Sequence, residues 1–174
     1  MTATAFGAAR FVGRDREQAE FRGWLTEAQA GSGRMTVLRG EAGMGKTRLA
    51  EKLAADASAI GIPVVWGRCS ADSGVPPLWP LRRIAEQLPG HVQLPTADGD
   101  GYGSSVEGSA AARFALFVWF TDMVLAAASP AGLLVIVEDV HWADSATTGA
   151  LGHLAAELGR SRALVVVTAR PRVA

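Results

Sequence analysis

Leu133–Val137 is a continuous apolar run of strand length, and Ala163–Thr168 is a second. Uninterrupted runs of this kind suit parallel strands that are covered on both faces. Thr36–Arg39 and Pro63–Gly67 predict two further strands earlier in the chain. Between the strands the period changes. Phe21, Trp24, Leu25 and Ala28 recur at helical spacing, and the helix they predict ends at Ala30-Gly31-Ser32-Gly33. A helix is expected over about Lys46–Ile60, stopped by Gly61, and the turn Pro76–Pro80 leads into a short helix over Leu81–Leu88. Longer helices are expected over Ser109–Ala127 and Ser145–Leu158, the latter with Asp144 as N-cap. Pro89–Gly108 is rich in Gly, Asp, Ser and Pro, has no period and reads as a mobile loop. Strands alternating with helices predict an α/β fold on a parallel sheet of four strands.

Chemistry enters directly after the first strand. Gly40, Glu41, Ala42, Gly43, Met44, Gly45, Lys46 and Thr47 fit G-x-x-x-x-G-K-[ST] at every specified position. Strand, glycine loop and helix form the context this phosphate-binding motif requires. Glycine lets the backbone approach a phosphate closely, and the amides at a helix N-terminus form an anion nest. Lys46 is the candidate for the β- and γ-phosphates, Thr47 for Mg²⁺, and Arg48 extends the candidate nucleotide site into the helix. Only two of the seventeen basic residues are lysines, Lys46 and Lys52, so a lysine at the motif position is not a generic surface cation.

The run Leu133–Val137 ends on Glu138 and Asp139. A hydrophobic strand that delivers a carboxylate beside a phosphate loop is the Walker B pattern. Glu138 is read as the metal-side acid and Asp139 as the base for water, with the reverse assignment left open. Thr168 and Arg170, at the end of the last strand, lie where ligands of parallel sheets bind. His141 has no partners at metal-ligand spacing and receives no catalytic role. Trp142 is expected to pack the loop.

With 174 residues, 49% hydrophobic and 20% charged, the chain reads as one globular domain. Its formal net charge of +0 supplies no global field for nucleic acid. The single cysteine, Cys69, excludes an internal disulfide. Residues 1–10 lack the apolar core of a signal peptide. Phe114–Ala128 is the most membrane-like stretch, but Arg113 and Asp122 interrupt it, so a buried core helix, no membrane and a cytoplasmic location are expected.

Four segments carry a resemblance. They are Phe11–Glu17, Gly40–Thr47, Val135–Asp144 and Val165–Pro171, in that order and spacing. Together they resemble the AAA-type ATPase module of STAND signalling ATPases, closest to the N-terminal part of the large ATP-binding LuxR-family regulators. The resemblance implies a three-layer P-loop NTPase fold with strand order 1-4-3-2, lacking the fifth strand and lid. It implies ATP and Mg²⁺ as ligands, with Val12, Gly13 and Arg14 near the adenine and Arg170 as a sensor residue. It further implies an ATP/ADP switch with slow hydrolysis and self-association through the module, without direct DNA binding by this segment. The chain then looks like the first part of a longer regulator, with its phosphate-loop strand as a sheet edge.

The alternative reading is a conventional AAA+ hydrolase of the initiator or loader type. A GTPase is disfavoured because the guanine-reading Asn-Lys-x-Asp needs asparagine, and the chain contains none. A small-molecule kinase stays open, with the Pro89–Gly108 loop as a candidate lid, but no arginine lies between Arg83 and Arg113 to clamp a transferring phosphate.

Overall fold

The computed structural model describes residues 15–89 and 110–171. Val12, Gly13, Arg14 and all of the Pro89–Gly108 loop except its first residue lie outside them. The element order is α1 (Asp15–Gln29), β1 (Arg34–Arg39), α2 (Lys46–Ala59), β2 (Val64–Arg68), α3 (Trp79–Gln87), α4 (Ala110–Ala128), β3 (Leu133–Glu138), α5 (Ser145–Glu157) and β4 (Ala163–Ala169). Two 3-10 turns, Val140–Trp142 after β3 and Leu158–Arg160 after α5, were not anticipated. The strands form one parallel sheet in the order β1-β4-β3-β2. This is the 1-4-3-2 order implied by the resemblance, with β4 inserted between β1 and β3.

Side-chain alternation explains the three layers. Leu133, Val135 and Val137 of β3 join Ala163, Val165 and Val167 of β4 in one core, together with Leu81, Ile84, Leu116, Phe120 and Leu154 from α3, α4 and α5. Leu134, Ile136, Leu164 and Val166 point the other way and meet Phe21, Leu25, Leu49 and Leu53 of α1 and α2. Strands that feed two cores must be apolar at every position, which is why β3 and β4 read as continuous runs. Each such Leu or Val contributes about 1.5–3 kcal/mol by burial.

Two boundaries moved for local reasons. α3 begins at Trp79 rather than Leu81, because Pro80 is compatible with the first turn of a helix. β2 extends to Arg68, which pairs in register with Glu138. α4 corrects the expectation of a buried core helix. It is the described helix whose length and composition would suffice to cross a membrane, with mean hydropathy 1.5, yet it packs on α5 and buries mainly Leu116, Phe120, Thr121, Val124 and Ala128. Among the described residues the covering of α4 is confined to one face, and Phe114 is 57% exposed.

Gly67 sets the approach of α3 to β2. A Cβ there would stand 2.5 Å from the Pro80 carbonyl oxygen and 3.0 Å from Ile84 Cδ1. Gly67→Ala is therefore expected to cost about 1–3 kcal/mol through overpacking. A urea titration would show this as a lower midpoint with unchanged slope. An unchanged midpoint would mean that α3 moves off the sheet without cost.

Candidate nucleotide site

The carboxyl ends of the four strands bring the candidate residues to one edge of the sheet. β1 runs out at Arg39, opposite Ala169 of β4. One residue further on, the Gly40 N–H donates to the Ala169 carbonyl at 3.3 Å. This bond ties the start of the phosphate loop to the residue before Arg170. Gly43 (φ 81) and Gly45 (φ 75) take left-handed backbone angles that cost other residues about 1–2 kcal/mol. Gly45 also caps α2, so the loop ends directly on a helix N-terminus. Lys46 folds back over the loop and its Nζ donates to the Gly40 carbonyl at 2.6 Å and the Glu41 carbonyl at 2.9 Å. Glu41, Ala42 and Met44 are exposed along the loop, and Thr47 and Arg48 are exposed at the start of α2.

The acids sit two strands away across β4. Glu138 is 6% exposed. Its Oε1 is buried and has no hydrogen-bond partner among the described residues. An unpaired buried oxygen of this kind is costly, and a hard cation or a water held by one would satisfy it. The residues present therefore fit Mg²⁺. No group of three or more His, Cys, Asp or Glu able to hold a metal occurs among the described residues. A magnesium site shared between one or two protein oxygens and phosphate needs none.

Asp139 is held in a left-handed conformation, φ 58 and ψ 41. Aspartate tolerates this region better than most residues, because its short side chain bonds locally. The Asp139 N–H donates to the Thr168 hydroxyl at 2.9 Å, and Thr168 is fully buried. Thr168, a candidate for phosphate contact, thus holds the acid turn in place. Arg170 is exposed just beyond it.

One residue in contact with both acids escaped the sequence reading. The Arg68 Nε lies 3.6 Å from Glu138 Oε2 and 3.6 Å from Asp139 Oδ2. A single guanidinium between adjacent carboxylates offsets their mutual repulsion, although its exposure limits each contact to about 0–1 kcal/mol. The available signal was a cation at the carboxyl end of an apolar strand, where ligands of parallel sheets bind.

The segment after the acids differs in part from expectation. Asp144 is the N-cap of α5 and accepts from the Thr147 N–H at 2.8 Å. It also accepts the Leu78 N–H at 3.1 Å. Trp142 does not bury itself in the loop but is 48% exposed, with its ring against His141 at 5.1 Å between centroids. Neither ring nitrogen of His141 has a hydrogen-bond partner among the described residues.

A glycine loop between the first strand and its helix, on a parallel 1-4-3-2 sheet, defines the P-loop NTPase class. Residues 10–167 match the family described as AAA ATPase domain, and the chain belongs to that family. Membership carries nucleotide binding of the ATPase kind, typically with Mg²⁺. No curated protein matches the sequence.

Proposed function

We propose that residues 1–174 form a single Mg-ATP switch module of a STAND-type signalling ATPase, akin to the N-terminal part of LuxR-family regulators, with slow hydrolysis and self-association in the ATP form. The observation that carries this reading is the shared hold of Arg68 on Glu138 and Asp139, each at 3.6 Å. A cation held beside both carboxylates competes with a metal ion and a water for their oxygens, which suits a site that retains ATP longer than it turns it over.

In this reading the Lys46 ammonium exchanges its two loop carbonyls for phosphate oxygens, and the loop amides from Gly40 to Arg48 cradle the chain of phosphates. Thr47 and Glu138 would hold Mg²⁺. When bound, that ion neutralises charge on the β- and γ-phosphate oxygens. Asp139 orients a water and accepts its proton as the water oxygen bonds to the γ-phosphorus. The bond from that phosphorus to the bridging oxygen breaks, leaving ADP and phosphate. Arg170 stands beside the loop through the Gly40–Ala169 bond and would sense the γ-phosphate. Val12, Gly13 and Arg14 would meet the adenine.

Binding of fluorescent ATP and GTP with and without Mg²⁺, followed by a turnover assay, tests the proposal. ATP should bind more tightly than GTP and more tightly with Mg²⁺, with turnover below about 1 s⁻¹, the low end of enzyme rates. Turnover of about 10 s⁻¹ or more would favour the initiator or loader type of hydrolase instead.

A further inference from the structure

The turn after the acids holds one side chain that the nucleotide reading leaves unused, His141. Both of its ring nitrogens are buried, and neither has a hydrogen-bond partner among the described residues. Three other buried side-chain atoms there lack a hydrogen bond, on Arg34, Asp56 and Glu138, but each of those groups has an ion-pair partner, Glu27, Lys52 and Arg68 in turn. The His141 ring lies instead against Trp142, 5.1 Å between centroids, a contact that satisfies neither nitrogen. A neutral imidazole carries one N–H donor and one acceptor. Burying them unmet weakens the folding equilibrium by a factor of about five or more.

The turn and the phosphate loop are anchored to adjacent residues of β4. The Asp139 N–H donates to the Thr168 hydroxyl at 2.9 Å, and the Gly40 N–H donates to the Ala169 carbonyl at 3.3 Å. β4 lies between β1 and β3, so the loop reaches this strand end from one side and the turn from the other. The Val140–Trp142 turn itself packs on β4. His141 is two residues beyond the Asp139 anchor. A phosphate chain cradled by the loop directs its terminal group toward the acids, because the metal ion bridges the β- and γ-oxygens. The strand end shared by loop and turn is therefore where a γ-phosphate falls.

The turn is built to shift between fixed ends. One end is held by the Asp139–Thr168 bond and the other by the Asp144 cap of α5. Between them Asp139 opens the turn in the left-handed region, φ 58, and Trp142 is 48% exposed, so little packing resists movement there.

We propose that His141 is a binding residue for the γ-phosphate: ATP selects a second arrangement of the Val140–Trp142 turn, in which a ring N–H of His141 donates to a γ-phosphate oxygen. ADP has no such oxygen. The contact rests on the nucleotide site proposed above; the cost of the unpartnered imidazole does not, and is measured without nucleotide.

Two variants of the whole chain test this. His141→Phe keeps a ring and loses both nitrogens, and His141→Gln keeps a donor and an acceptor. Without nucleotide, a urea titration of His141→Phe should show a higher midpoint at unchanged slope, with the folding equilibrium constant raised about fivefold. A lower midpoint, or a His141→Phe protein that does not fold, would overturn the proposal, because the imidazole would then be holding the turn in place. With Mg²⁺, His141→Phe should lose about 10- to 100-fold in ATP affinity, as for a hydrogen bond to a charged group, and less than about twofold in ADP affinity. His141→Gln should fall between parent and His141→Phe. Equal loss for ATP and ADP, or loss for neither, would overturn the γ-phosphate contact, since a merely structural role moves both alike. His141→Gln as weak as His141→Phe would overturn the donor role. ATP, and not ADP, should change the indole emission of the parent, and Trp142→Phe should abolish that change; the same change with ADP would overturn the shift of the turn. Failure of the parent to bind either nucleotide would strike the nucleotide reading and this inference with it, whereas parental ATP binding with an unaltered ATP-to-ADP ratio in His141→Phe strikes the role of His141 alone.

Discussion

Asp139→Asn should reduce ATP turnover by about 10²- to 10⁴-fold, the usual contribution of a positioned general base, while Mg-ATP binding survives. Asparagine is the substitution of choice because the position is left-handed, φ 58, and asparagine tolerates that region where alanine would strain it. The Asp139 N–H to Thr168 bond at 2.9 Å should persist, since it uses the backbone. Glu138→Gln is expected to act differently. Its carboxylate is buried with one unpaired oxygen, so the variant should bind ATP with a weaker dependence on Mg²⁺. Measured binding with and without Mg²⁺, beside single-turnover hydrolysis, separates the two. The opposite pattern would exchange the roles of the acids. Loss of both binding and turnover in Asp139→Asn would show that this acid holds the metal. Arg68, which touches both carboxylates at 3.6 Å, offers a complementary variant. Arg68→Ala should raise turnover, because the guanidinium no longer competes for the oxygens of either acid; a lowered turnover would overturn the restraining role of Arg68.

Lys46→Ala should lower ATP affinity by roughly 30- to 150-fold, the equivalent of about 2–3 kcal/mol for a charge-assisted contact to phosphate. The loop should lose some of its order too, because Lys46 donates to the Gly40 and Glu41 carbonyls. Lys46→Met tests that separately by keeping the length of the stem without its charge. Both variants should retain the parent unfolding profile, since the side chain is partly exposed and outside both cores. A folded Lys46→Ala protein with parental ATP affinity would sink the phosphate-loop reading.

Much of this architecture could be read from local pattern. β3 and β4 were legible because they are buried on both faces and so carry no polar position to break the run. The phosphate loop was legible because its glycines and lysine are contiguous. The N-cap Asp144 was legible because capping is a contact between near neighbours, here Asp144 and Thr147. The strand order followed from the resemblance and not from periodicity, which says that a strand exists but not beside which other it lies.

α4 shows where pattern misleads. Its sequence is apolar nearly all round, which suggests burial on every side, yet the described residues cover only the face toward α3, α5 and the sheet. Composition states what a helix would accept as surroundings; the packing of its neighbours decides what it receives.

By itself, then, the sequence determined the element types, the phosphate loop and the acids, because these depend on residues within a few positions of one another. The tertiary structure alone decided which side chains meet across the sheet edge. Arg68 reaches Glu138 and Asp139 only because β2 pairs with β3 in that register. The Leu78 N–H meets Asp144 across 66 residues, a bond that forms only once the start of α3 and the turn after β3 are brought together. Such contacts are set by strand register and helix docking, in which every core residue takes part, so no short stretch of sequence specifies them.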